Sequence, residues 1–209
     1  MGNRIGIFGG SFDPIHNGHL LLAELCRESL NLDRVLFVLA NVSPFKVDKQ
    51  PARNKDRMEM LRLAIGGNSK FETDLREIER GGVSYTIDSV RSIAAENPDS
   101  ELFLLMGADA LADISKWREP AELLRMVTPC VISRGGVGEP NWAVLEPYIE
   151  PNRLDEIIRS KVVGPQIEIS SFDLKERIKI GKSIRYQVPS AVEVFLKEHS
   201  VYGHPDTGF

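Results

Sequence analysis

Short, unbroken apolar runs alternate along this chain with longer stretches of helical period, and few folds accommodate that alternation. A strand covered on both faces reads as a continuous apolar run, and strands separated by helices pair in parallel through crossover connections. Ile5-Gly6-Ile7-Phe8 is the first such run. Leu20, Leu21, Ala23, Leu25 and Leu30 then fill one helical face up to about Asn31, and Val35 to Leu39 follows as a buried strand, which completes one βαβ unit. A polar loop from Asn41 to Arg53 leads to a helix carrying Met58, Leu61, Leu63 and Ala64. That helix halts at Gly66-Gly67, before a short strand near Phe71. Ser84 or Thr86 is placed to cap a helix with Ile87, Val90, Ile93 and Ala94 on one face, which Asn97-Pro98 stops. Leu102 to Met106 and Val127 to Ser133 are further strands, with Gly107 to Arg125 between them.

From Gly135 to about Lys161, scattered glycines and prolines read as a loop or variable insert, with a helix around Leu154 to Ile158. Val162 to Ile169 reads as extended and Phe172 to Ile180 as helical. Pro189 opens a last helix through Leu196 as a first-turn proline would. The expectation is an α/β fold: an open parallel sheet with helices on both faces and C-terminal helices at about 170–200, forming a single domain over residues 1–209.

Composition narrows the function classes. With 42% hydrophobic and 27% charged residues, the 209-residue chain is expected to fold throughout. A formal charge of -4 argues against broad adhesion to nucleic acid, which needs a dense basic face, so any phosphate site must be local. Cys26 and Cys130 lie far apart in the sequence with no metal or redox spacing. They read as small buried residues of a reducing compartment, with no disulfide expected. No charged-then-apolar leader precedes Ile5, and no apolar run approaches the roughly 20 residues of a membrane helix, so the cytoplasm is the expected location.

The segment from Gly9 to His19, Gly-Gly-Ser-Phe-Asp-Pro-Ile-His-Asn-Gly-His, follows the first strand directly and enters the first helix. It therefore sits at the carboxyl end of a parallel strand, where open α/β sheets bind ligands. Gly9 and Gly10 allow close backbone approach, and the positive end of the helix favours phosphate. No Gly-Lys-Ser/Thr follows, so this is not a Walker loop, and the Gly-x-Gly-x-x-Gly spacing of dinucleotide-binding folds is absent. His16 and His19 are three apart at the helix start and can turn both rings to one phosphate, with Gly18 keeping that face open. Two imidazole N–H donors can stabilise charge growing on an α-phosphorus under attack, without a covalent intermediate. Taken alone, the pair also fits a capped helix start with surface histidines, or a metal pair. Zinc would need more ligands from His199, His204 or the distant cysteines.

The whole string resembles the signature of the His-x-Gly-His nucleotidylyltransferase superfamily. That resemblance implies a Rossmann-like sheet, an ATP or CTP site on this loop, and His16 and His19 as the catalytic pair. Ser84-Tyr85-Thr86-Ile87-Asp88-Ser89 and Gly107-Ala108-Asp109-Ala110, with Trp117 shortly after, resemble the bacterial nicotinate-mononucleotide adenylyltransferase family. The likeness runs from Ile5 to about Arg134 and from Ile169 to Tyr202. It implies transfer of the adenylyl group of ATP to nicotinate mononucleotide, giving nicotinate adenine dinucleotide and pyrophosphate in NAD biosynthesis, with Mg2+ accompanying ATP and no metal bound directly by the protein.

By that resemblance ATP is held by Gly9, Gly10, Ser11, Phe12, His16, Gly18, His19, Gly107, Asp109, Ile169, Ser170, Ser171 and Lys175. The acceptor is held by Ser11, Lys46, Tyr85, Thr86, Trp117 and Arg134. The residue chemistry agrees. Trp117 can stack on a flat electron-poor ring, worth about 1–3 kcal/mol by analogy with base stacking, and Tyr85, Thr86 and backbone amides can bind a carboxylate. Asp109 suits ribose hydroxyls or the cap of a short helix, and Ser170 and Ser171 suit phosphates or a serine cap. The chain departs from the family pattern where Phe45 replaces histidine, Phe172 replaces threonine and Lys175 replaces arginine. Lysine keeps the charge but loses the bidentate fork, a role Arg177 is placed to share. Phosphopantetheine adenylyltransferase and a non-catalytic nucleotide-sensing module remain alternatives. Assembly into homo-oligomers is left open.

Overall fold

The computed structural model describes residues 2–45, 51–134 and 139–203. Six strands, β1 (Arg4–Gly10), β2 (Arg34–Leu39), β3 (Phe71–Asp74), β4 (Glu101–Gly107), β5 (Thr128–Arg134) and β6 (Val162–Gly164), form a parallel sheet in the order β3-β2-β1-β4-β5-β6. Around it run α1 (Asn17–Ser29), α2 (Asn54–Ile65), α3 (Arg76–Arg80), α4 (Thr86–Glu96), α5 (Ala108–Ala112), α6 (Pro120–Met126), α7 (Pro151–Arg159), α8 (Ser171–Lys179) and α9 (Ser190–Glu198).

Strand side chains alternate between faces, so each apolar run feeds two cores. Val35, Phe37 and Leu39 of β2, with Phe103 and Leu105 of β4, pack against Ala23 and Cys26 of α1, Met60 and Leu61 of α2, Leu174 of α8 and Val192 and Leu196 of α9. Leu36, Val38, Leu102, Leu104 and Met106 point the other way, onto Ile87, Val90 and Ile93 of α4, Leu111 of α5, Leu123 and Leu124 of α6 and Ile157 of α7. This is the expected Rossmann-like α/β architecture with helices on both faces.

Several local expectations are corrected. Leu63 lies 37% exposed on the solvent side of α2, because its buried stripe runs through Met60, Leu61 and Ile65. Neither Ser84 nor Thr86 caps α4: Tyr85 occupies the N-cap position with no side-chain hydrogen bond, and the Ser84 hydroxyl instead accepts from the Asn41 amide. Pro189 is the N-cap residue of α9 rather than a first-turn residue. Of the extended stretch Val162 to Ile169, only Val162–Gly164 pairs, alongside the end of β5. The short polar α3 was not anticipated.

From Trp142 to Ile157, the stretch expected to be an insert contributes to the second core. Leu145, in a 3-10 turn over Trp142–Leu145, and Ile157 are both fully buried, with Trp142, Tyr148, Ile149 and Leu154 packed beside them. Cys26 and Cys130, distant in sequence, meet across the α1–β5 contact with their sulfurs 3.4 Å apart, both as buried free thiols.

Candidate active site

The strands β1 and β4 stay in register from Arg4↔Glu101 to Ile7↔Leu104, and beyond it β1 runs on to Gly10 and β4 to Gly107. The chain turns outward from this pair in both directions, and at such a switch point the carboxyl ends of the strands leave a crevice. A cavity of about 380 Å³ opens there, lined by Gly9, Gly10 and Ser11 on one side and Met106, Gly107 and Trp117 on the other.

The loop after β1 is held in one shape from several directions. Phe12 adopts a left-handed backbone, φ 42°, and is nearly fully buried, its ring edge-on to Phe8 and His19 and tilted against Phe37. A non-glycine residue in that conformation persists only where its surroundings over-determine it, as these aromatic contacts do. Gly10 is required beside it, since a Cβ there would stand 2.9 Å from the Phe12 ring.

His16 is the N-cap of α1, and the two histidines cap the helix reciprocally. The His19 amide donates to His16 Nδ1 and the His16 amide donates to His19 Nδ1, each at 3.3 Å. Their rings stack with centroids 3.6 Å apart and 22° between planes. Because both Nδ1 atoms accept, a neutral ring in this arrangement carries its proton on Nε2 and presents it as a donor. Burial pushes the His16 imidazolium down from its ordinary value of 6.5 to about 4, so this ring is neutral at physiological pH. Gly18 leaves room for it, as a Cβ there would lie 3.0 Å from His16 Nδ1.

Two residues that the sequence did not single out fix this loop from beneath. Arg57 of α2 is fully buried and donates to the carbonyls of Ser11 (2.9 Å), Ala40 (2.8 Å), Asn41 (3.3 Å) and Ala52 (3.2 Å), and to Asn54 Oδ1 (2.7 Å). The buried Asp13 carboxylate accepts from Lys175 Nζ (2.7 Å), the Tyr202 hydroxyl (2.6 Å) and the Ala52 amide (3.1 Å). Burial alone would raise its pKa, but the bonds from Lys175, Tyr202 and Ala52 outweigh that and hold it below the usual carboxylate range.

Lys175 is thereby engaged with Asp13. Arg177 does not share its role, since its guanidinium donates to the Ser183 carbonyl. At the start of α8, Ser170 is an ordinary N-cap that accepts from the Asp173 amide, while Ser171 donates to the Pro14 carbonyl at 2.9 Å and so ties the helix start, just after Ile169, to the histidine loop. Phe172 is 66% exposed.

Tyr85, Thr86 and Trp117 line the far part of the cavity with Phe45, and the buried Glu77, whose Oε1 accepts from the Ser89 hydroxyl at 2.6 Å, stands in its wall. Asp109 is exposed in the first turn of α5, whose N-cap is Gly107, so it does not cap that helix. Lys46 lies outside the described residues, as does His204. Arg134 ends β5, with its side chain outside the described part.

A crevice lined by Gly9, Gly10 and Ser11 of the loop that goes on to the stacked histidines suits nucleotidyl transfer, and the cytidylyltransferase-like family matches this chain over residues 7–177. Curated relatives narrow the class. A relative named "Probable nicotinate-nucleotide adenylyltransferase", of Rhodopirellula baltica, is 40% identical over 198 residues, covering 95% of this chain and 92% of its own. Another, of Roseiflexus sp., is 42% identical over 200 residues with 95% and 97% covered. A third, of Thermus thermophilus, is 40% identical over 201 residues with 95% and 99% covered. The chain belongs to the nicotinate-nucleotide adenylyltransferase family. The solved Plasmodium falciparum nicotinic acid mononucleotide adenylyltransferase complexed with NaAD shares the fold, with a TM-score of 0.69, 19% identity, and 96% of this chain and 97% of that chain covered.

Proposed function

We propose that this chain transfers the adenylyl group of MgATP to nicotinate mononucleotide, forming nicotinate adenine dinucleotide and pyrophosphate, with the crevice between β1 and β4 as its active site. The observation that carries this reading is the stacked His16–His19 pair on the loop whose start lines the crevice, with both Nδ1 atoms accepting from backbone amides so that each Nε2 is left as the donor. The acceptor's phosphate attacks the α-phosphorus in line and pyrophosphate leaves. The two imidazoles donate to the oxygens on which charge grows, and no side chain acts as nucleophile. A neutral His16 suits a donor that keeps its proton throughout.

In this reading Gly9, Gly10, Ser11, Phe12 and Gly18 shape the triphosphate site, and Gly107 and Asp109 meet the ribose. Ile169, Ser170 and Ser171 bring the amides of the α8 start to the phosphates. Lys175 acts through Asp13, holding the loop's shape. Trp117, Tyr85 and Thr86 frame the nicotinate ring, and Lys46 and Arg134 neutralise the acceptor phosphate. Among the described residues no cluster of three acidic, histidine or cysteine side chains suits a metal, and Asp13 is fully engaged. In the same reading the divalent ion enters on the triphosphate oxygens as part of the substrate. The described segments act as one domain. No described helix is long and apolar enough to cross a membrane, and we place the reaction in the cytoplasm.

The test is an acceptor panel: purified protein, ATP and magnesium with nicotinate mononucleotide, nicotinamide mononucleotide or phosphopantetheine, following pyrophosphate release. Turnover fastest with nicotinate mononucleotide is the expected result. Release with phosphopantetheine alone would overturn the acceptor, and no release with any acceptor would overturn the reaction.

A further inference from the structure

At the rim of the cavity, the start of α4 and the turn after Trp117 face each other. The helix begins without a side-chain cap, and among the described residues no group accepts from the backbone N–H of Thr86 or Ile87. Arg118 places its guanidinium carbon 4.8 Å above the centre of the Tyr85 ring, over the N-cap residue of that same helix. Its ion pairs are long, 3.6 Å to Asp88 and 3.4 Å to Glu119, with neither forming a hydrogen bond. Arg91 takes up the neighbouring acids more closely, at 2.5 Å to Glu119 and 2.7 Å to Glu122. Lys116, the other cation among the described residues of the cavity wall, is paired with Asp113 at 2.7 Å. Arg118 is thus held over Tyr85 by long ion pairs, with no hydrogen bond from its guanidinium among the described residues.

We infer that Arg118 determines specificity for an acid over an amide in the acceptor ring, an inference that rests on the cavity being the nicotinate site. A carboxylate at the α4 start accepts from the Thr86 and Ile87 amides on one side and from the guanidinium on the other, as a charge-assisted bond. A carboxamide offers one acceptor and turns an NH2 toward groups that are all donors, leaving them unpaired. The preference is therefore built into donors and charge rather than into the size of the pocket, since acid and amide are nearly the same shape.

The experiment compares kcat/KM for nicotinate mononucleotide and nicotinamide mononucleotide at saturating ATP in the native chain, Arg118→Gln and Arg118→Lys, with unfolding midpoints alongside. The two acceptors share phosphate, ribose and ring, so anything that merely props the cavity moves both values together. Arg118→Gln should lose about tenfold or more with the acid and less than about threefold with the amide, and Arg118→Lys should fall between it and the native chain. Equal losses with both acceptors, or an unchanged ratio, would overturn the inference while leaving the reaction intact. A native chain that makes no dinucleotide from nicotinate mononucleotide would overturn both.

Discussion

His16 combines three demands at one position: it caps α1, stacks on His19 and stays neutral inside the protein. The last demand has a consequence for stability. In the unfolded chain the imidazole titrates near 6.5, and in the folded chain near 4, so between these values the unfolded chain binds a proton that the folded chain excludes. Stability is therefore complete above pH 6.5 and falls as pH drops toward 4, by at most about 1.4 kcal/mol per pH unit. Urea midpoints between pH 7.5 and 5 should decline in the native chain and decline less in His16→Asn, which retains a capping side chain; parallel declines would contradict the burial account. Asp13 adds a separate loss at lower pH, because its carboxyl is held below 3.8 and its ion pair with Lys175 is lost when it is protonated. The histidine pair was legible from its spacing at a helix start. Its reciprocal capping was not, because nothing in a His-x-x-His string tells whether the rings face each other or solvent.

At the scale of elements, Arg57 shows how α2 shapes a loop with which it is not contiguous. Its guanidinium joins the ends of β1 and β2 through the carbonyls of Ser11, Ala40 and Asn41. Arg57→Met removes these donors and leaves buried carbonyls unpaired. It should lower unfolding free energy by about 2–4 kcal/mol in urea titration, with Arg57→Lys recovering part of the loss; a loss below about 1 kcal/mol in the methionine variant would show that the carbonyls find other donors. An arginine on a helix reads in sequence as a solvated residue, and backbone carbonyls carry no sequence mark, so this device was invisible. Similar reasons hid α3, whose residues Arg76–Arg80 are all charged except Ile78, and the turn over Trp142–Leu145, a four-residue apolar run between Pro140 and Pro147 that is too short to show a helical or strand period. The strands β1, β2, β4 and β5 were readable because each is an apolar run that must be covered on both faces.

For the whole molecule, the alternation of runs and periods implied a parallel sheet with helices on both sides, and the sheet order places the first loop at the switch point. Sequence likeness carried the nucleotidyl reading, but the arrangement that closes the site comes from long-range contacts. Tyr202 reaches Asp13 across nearly the full chain, and Ser171 reaches Pro14. Such pairings depend on where helices α8 and α9 settle on the core, which local pattern does not encode. They converge on the histidine loop, to which we assign the transfer. The most direct measurement is kcat of His19→Ala with saturating MgATP and nicotinate mononucleotide, beside its far-UV spectrum and urea midpoint. A fall of about 100-fold or more, with the fold retained and no more than about 1–2 kcal/mol of stability lost with the capping bond, is the result predicted. Turnover within about threefold of the native chain would contradict it and place the chemistry elsewhere.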